Sequence, residues 1–257
     1  MDSTPEQGPL SGRDINFDFG TWEIGKIISR KYREQEDPQG GSTLECHEVY
    51  EASAKDHPSK QAIIKTKKQI ADWDDSDYDE PSEEIHREIN NLSDLEDCRA
   101  TPKLLGSVIY TQRPDEELPA GYVAYIVMEK VPGEDLENFD TFTREEQDHA
   151  LWEFGSYHYT HWDPRRENIV WGPSSGQCFI VDLEDAEKFP SLTKRDTCLD
   201  SFAALESWGL IKGLHDGKLF FEKDRLLEDL KARLDSQEPP KMAGELQYTI
   251  FRKGEGK

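Results

Sequence analysis

The sequence predicts an α+β chain: a sheet-rich first half that carries one helix, followed by a mainly helical second half. Three observations predict this. Short apolar runs bounded by polar turns recur between residues 21 and 129, as strands do. Within that region one segment, 83–97, sets Ile85, Ile89, Leu92 and Leu95 at three- and four-residue steps, the spacing of a buried helix face. From residue 143 onward the apolar residues keep the helical spacing, interrupted by two short strands.

Residues 1–20 are polar, with Pro and Gly, and read as a flexible N-terminal tail. Thr21 to Ser29 reads as the first strand. Residues 30–46, charged and containing Gly40-Gly41, read as a long loop, and His47 to Ala54 as a second strand. Gln61-Ala62-Ile63-Ile64-Lys65 reads as a buried strand ending in a lysine. The acidic run 72–80 reads as a solvated insertion, with recruitment of a basic protein partner as the other reading. Pro81 suits the first position of the helix that follows. Leu104 to Thr111 and Tyr122 to Glu129 complete about five strands, joined by the polar loop 113–120.

In the second half, Thr143 to Tyr157 reads as a helix whose Thr143 and Glu146 fit a capping box. Ile169-Val170-Trp171 and Gln177 to Val181 read as strands around the turn Gly172 to Gly176. Thr197 to Lys212 and Leu219 to Leu234 read as amphipathic helices, and Leu246 to Phe251 as a strand or docked tail.

The formal net charge of −23 supplies no basic stripe to neutralise a phosphate backbone, so nucleic acid and anionic membrane surfaces are poor partners. No apolar run reaches the length of a membrane span, and the N-terminus lacks a basic start and an apolar core, so neither a membrane helix nor a signal peptide is expected. Cys46, Cys98, Cys178 and Cys198 form no C-x-x-C pair and read as reduced thiols of a cytoplasmic protein.

The chemistry-bearing stretch is His161-Trp162-Asp163-Pro164-Arg165-Arg166-Glu167-Asn168, followed by the apolar run Cys178 to Val181 that delivers Asp182. It holds a candidate base (Asp163), a metal-ligand amide (Asn168) and a metal-ligand carboxylate (Asp182). Phosphoryl transfer uses such parts because it is catalysed mainly by positioning and charge stabilisation. Turn chemistry explains a single Asp or Asn, but not the ordered set.

The order is Lys65 on a strand, Glu88 on a helix, Tyr125-Ile126-Val127-Met128-Glu129-Lys130-Val131, H-x-D-x-x-x-x-N, then Asp182. It resembles the protein-kinase-like superfamily over roughly residues 22–187, and Ala62-Ile63-Ile64-Lys65 resembles its V-A-I-K signature. Val181-Asp182-Leu183-Glu184-Asp185-Ala186 is nearer the aminoglycoside phosphotransferase, choline kinase and fungal kinase-like branches. The resemblance implies a two-lobed fold: a small lobe over 21–130 and a reduced, mainly helical large lobe over 131–257. It implies ATP and Mg²⁺ as cofactors. Asn168 and Asp182 would ligate the metal. Lys65 would hold the α- and β-phosphates, oriented by Glu88. The backbone of Glu129 and Val131 would meet adenine, with Met128 behind it. Two readings are open for Arg165: a donor to the transferred phosphate, or a surface arginine paired with an acid. His161 would brace the loop. Asp200 reads as a helix cap or a brace to the loop backbone.

Three features depart from the pattern. Gly25 stands alone, with no G-x-G-x-x-G after it. Asp182-Leu183-Glu184 replaces D-F-G, and Glu184 reads as a further ligand or as a charge with a neighbouring partner. No A-P-E segment follows, so a protein substrate docked on an activation loop is not expected. Two functions follow: a phosphotransferase acting on a small-molecule hydroxyl, where the acidity would suit a cationic acceptor, or a pseudokinase that binds nucleotide or protein without turnover.

Overall fold

The computed structural model describes residues 7–36, 42–71, 80–135, 157–172 and 177–188, with Phe154, residues 174–175 and two short strands near the C-terminus. The acidic run 72–79, the helix expected over 143–157 apart from Phe154 and Tyr157, the helix expected over 197–212, Cys198 and Asp200 lie outside the described residues. The chain divides into two compact units, Met1–Ser93 with Lys103–Lys130, and Asp94–Pro102 with Val131–Lys257.

The first unit, among its described residues, is a six-stranded antiparallel sheet with one helix. Its strands are β1 (Asp14–Phe17), β2 (Gly20–Glu36), β3 (Ser42–Ala54), β4 (Gln61–Gln69), β5 (Leu104–Thr111) and β6 (Tyr122–Glu129), ordered β1-β2-β3-β4-β6-β5. Helix α1 spans Glu83–Asp94. Residues 14–17, assigned to the tail from sequence, pair with Gly20–Glu23 as an edge strand instead. Phe17 supplies the reason: it is buried against Trp22, Ile24 and Tyr50 in the apolar cluster on one sheet face.

Residues 30–36 and 42–46 are also strand, where a loop was expected. Their charges pair across the ladder rather than facing water alone. Arg30 Nε donates to Glu48 Oε1 at 2.6 Å, and Tyr50 Oη donates to Glu48 Oε2 at 2.9 Å. Opposite charges on facing strands stabilise a pairing by roughly 0.2–1 kcal/mol each. Residues 37–41, which carry Gly40 and Gly41, join β2 to β3 and lie outside the described residues.

Alternation along β4 divides its side chains. Ala62 and Ile64 enter the apolar cluster, while Lys65 and Lys67 share the opposite face. On that face Ile85 and Ile89 of α1 pack with Tyr122 and Ala124 of β6. Helix α1 begins at Glu83, not at Pro81. The Ser82 carbonyl accepts the Ile85 N–H at 3.1 Å, which places Pro81 outside the first turn.

The second unit, among its described residues, is built of short strands. β7 (Glu134–Asp135), β9 (Ile169–Gly172) and β10 (Gln177–Ile180) form one sheet, ordered β10-β9-β7. β8 (Tyr159–His161) pairs with β11 (Ala186–Lys188). The Ile180 N–H donates to the Ala100 carbonyl at 2.7 Å, tying β10 to a segment whose Leu95, Cys98, Ala100 and Thr101 are buried. Gly133 has φ +134°, and a Cβ there would lie 2.0 Å from the Trp171 carbonyl oxygen, so only glycine fits beside β9. Leu219–Phe220 pairs with Phe251–Arg252 as β12 and β13, so residue 219 does not start a helix. Local periodicity cannot reveal a strand partner that far along the chain. Among the described residues no helix is long and apolar enough to cross a membrane.

Candidate functional site

In the second unit the expected loop and hairpin are joined by a hydrogen-bond network. β9 and β10 pair from Ile169–Ile180 to Gly172–Gln177, which sets Asn168 beside the exit of β10. The Val181 N–H donates to the Asn168 carbonyl at 2.8 Å. Asn168 Nδ2 donates to the Asp163 carbonyl at 2.9 Å. That bond fixes the flip of the amide, and Oδ1 is the atom a hard cation would use. The structure therefore links Asp163, Asn168 and Asp182, three residues spread over twenty positions of sequence.

His161 closes the network. Its buried ring lies with Nε2 2.9 Å from the Asp182 carbonyl and Nδ1 3.2 Å from the Asp163 backbone nitrogen. One neutral tautomer satisfies both contacts: Nε2–H donates to the carbonyl, and Nδ1 accepts the amide proton. Burial pushes the His161 pKa below its ordinary value, against the opposing pull of the Asp182 and Val181 backbone and the Asp182 and Asp185 charges.

The sign of the pH effect follows. A depressed folded-state pKa gives stability that is present above the unfolded value, about 6.5, and lost as pH falls through the folded one. Thermal midpoints of wild type and His161→Gln, compared from about pH 7.5 down to about pH 5, should converge on acidification as the wild type alone loses this contribution. Parallel pH curves for the two proteins would remove His161 as the source.

Asp182 adopts φ 62° and ψ 57° and precedes a short 3-10 turn, Leu183–Asp185, without capping it through its side chain. Asp is among the few residues that enter this left-handed region readily, so the turn forms with no glycine. Leu183 and Glu184 are buried. Asp182 and Glu184 each offer a carboxylate oxygen, within 4.8 Å of one another. Hard oxygen donors in this arrangement fit a divalent ion such as Mg²⁺.

Arg165 pairs with Asp163 Oδ2, so its partner is the candidate base itself. The pair is partly exposed, where such contacts are worth about 0–1 kcal/mol. Trp162, 62% exposed, anchors its indole Nε1–H on Glu187 Oε2 at 2.9 Å, and its backbone N–H on the Asp185 carbonyl. Val131 is buried in this unit.

The first unit holds the other expected group. Lys65, opposite Val49 and Ile126 in the ladder, forms an ion pair with Glu88 Oε1 of α1. Glu88 is fully buried, and the Lys65 side chain is 11% exposed. Lys67, which the motif reading passes over, lies 3.4 Å from Glu88 Oε2 with its side chain 2% exposed. The signal for it was present: residues two apart on a strand share a face. Met128 is buried on β6 opposite Ile63 and Leu104. The Glu129 N–H donates to the Lys103 carbonyl at 2.8 Å, a bond that fixes the end of β6.

The structure is similar to that of the Cydia pomonella granulovirus kinase PK-1, at 16% sequence identity and a TM-score of 0.42. The likeness covers 67% of this chain and 54% of that one, so the chain spans about half the length of that kinase. No protein-family model matches the sequence, and no curated protein does.

Proposed function

We propose that the chain is an ATP- and Mg²⁺-dependent phosphotransferase of protein-kinase-like fold with a reduced second lobe, acting on a small-molecule hydroxyl. The observation that carries this reading is the hydrogen-bonded unit of His161, Asp163, Asn168 and Asp182. A fold that needed only turn residues at these positions would have no reason to brace them through one buried imidazole. The buried Lys65–Glu88 pair of the first unit supports the same reading.

In this reading Asp163 accepts or orients the proton of the acceptor hydroxyl, and its ion pair with Arg165 keeps it in place. Asn168 Oδ1 and Asp182, with Glu184 beside it, hold the metal. Bound Mg²⁺ would neutralise charge on the phosphate oxygens during transfer. Lys65 grips the α- and β-phosphates, oriented by Glu88. The Glu129 carbonyl and Val131 N–H meet adenine, with Met128 behind the ring. The net charge of −23 suits a cationic acceptor, because an acidic surface raises the local concentration of cations.

The second reading is a pseudokinase, a nucleotide- or protein-binding module without turnover. Two observations favour it: the sequence has no G-x-G-x-x-G, and Arg165 occupies a carboxylate oxygen of the candidate base. Incubation with γ-labelled ATP and Mg²⁺, with water as the default acceptor, separates the two. An active enzyme releases labelled phosphate slowly and only with Mg²⁺. Nucleotide binding with no release, and no labelled product from a panel of polyols and amino alcohols, selects the pseudokinase. Absence of any nucleotide binding removes both readings.

A further inference from the structure

Lys65 and Lys67 approach one carboxylate from the same face of β4. Lys65 Nζ meets Glu88 Oε1, and Lys67 Nζ lies 3.4 Å from Oε2. A buried ammonium carries a desolvation cost of several kcal/mol unless carboxylates surround it. Lys67 faces two of them. One is Glu88 from α1. The other is Glu45 of β3, which accepts a hydrogen bond from Tyr122 Oη and pairs with His47, the residue opposite Lys67 in the ladder.

Burial alone would raise the Glu45 carboxyl. The His47 and Tyr122 hydrogen bonds and the charges of His47 and Lys67 outweigh it and hold Glu45 below the usual carboxylate range. Glu45 thus has its own donors, and Glu88 is the carboxylate that the two lysines share.

We propose that Lys67 is a positioning residue for nucleotide binding: its ion pair with Glu88 Oε2 turns Oε1 toward Lys65, which in turn meets the phosphates of a nucleoside triphosphate. This rests on the function proposed above. The effect passes through Glu88, so it is absent when Glu88 is neutral.

Calorimetric titration of Mg·ATP into wild type, Lys67→Met, Lys67→Arg, Glu88→Gln and the Lys67→Met/Glu88→Gln double variant tests it. Lys67→Met should weaken Kd by about tenfold, or 1.4 kcal/mol, at unchanged stoichiometry. Lys67→Arg, which keeps the charge, should recover binding to within about threefold. The double variant should bind no worse than Glu88→Gln alone, because residues acting as one unit are not additive. A lysine needed only for folding would reduce the stoichiometry and leave Kd unchanged; that result overturns the proposal, as do multiplying effects or an arginine that restores nothing. Should Lys67→Met fail to fold, the Nζ resonances of ¹⁵N-lysine wild type supply the test: both Lys65 and Lys67 should shift on saturation with Mg·ATP, and a shift at Lys65 alone overturns it. Wild type that binds no Mg·ATP overturns the proposed function and this inference together, whereas normal binding by Lys67→Met overturns this inference alone.

Discussion

Replacing Glu88 with alanine should destabilise the first unit by about 3–5 kcal/mol, the cost of stripping a buried charge of its partner. Glu88 is fully buried and in contact with both Lys65 and Lys67, whose side chains are 11% and 2% exposed. Removing the carboxylate takes from two ammonium groups on the buried face of β4 a partner that both contact. Urea unfolding of the variant against wild type measures the effect. The same substitution made together with Lys65→Met and Lys67→Met should recover much of the loss, because an apolar replacement of a whole buried cluster is often neutral. A loss below about 1 kcal/mol in the single variant would place the pair among solvent-screened contacts and contradict the burial.

Asp163→Asn should lower phosphoryl transfer by about 10²–10⁴-fold, the range for losing a general base, and change Mg·ATP affinity little. The geometry makes this substitution selective. The backbone of Asp163, not its side chain, holds the loop: its N–H meets His161 Nδ1, and its carbonyl accepts from Asn168 Nδ2. The side-chain contact is with Arg165, in a partly exposed pair. Asparagine keeps the shape and the backbone bonds and removes the basic oxygen. Initial rates of phosphate release, read beside calorimetric affinity, separate the two effects. Turnover equal to wild type would strip Asp163 of its role as base and leave it a structural loop residue.

Much of this arrangement was legible in the chain because the relevant periods are short. The short apolar runs Ala62-Ile63-Ile64 and Tyr125-Ile126-Val127-Met128 marked the central strands. The three- and four-residue spacing from Ile85 to Leu92 marked α1, and Glu88 beside that face pointed toward Lys65. What escaped was set by partners distant in sequence. Residues 30–46 looked like a loop because Arg30, Lys31 and Arg33 are charged, and the carboxylate of Glu48 that neutralises Arg30 becomes visible only once β2 lies against β3. Asp14–Phe17 looked like tail because one buried phenylalanine carries no period. Lys67 belongs to no motif, and its burial against Glu88 is set by α1 lying over the strand. The left-handed Asp182 compensates for the missing glycine of its turn, and spacing does not encode that choice.

The measurement closest to the central claim is a thermal shift with ATP, in the presence of Mg²⁺ and in excess chelator, on wild type and Asp182→Ala. If Asn168 and Asp182 hold a metal that carries the phosphates, Mg·ATP raises the wild-type midpoint, and chelation or the Asp182→Ala substitution removes the Mg²⁺-dependent part of that rise. Bound ligand stabilises by about 2.7 kcal/mol at a hundredfold excess over Kd, well within reach of the method. A rise of equal size in Asp182→Ala, or no rise in wild type at saturating nucleotide, contradicts the account.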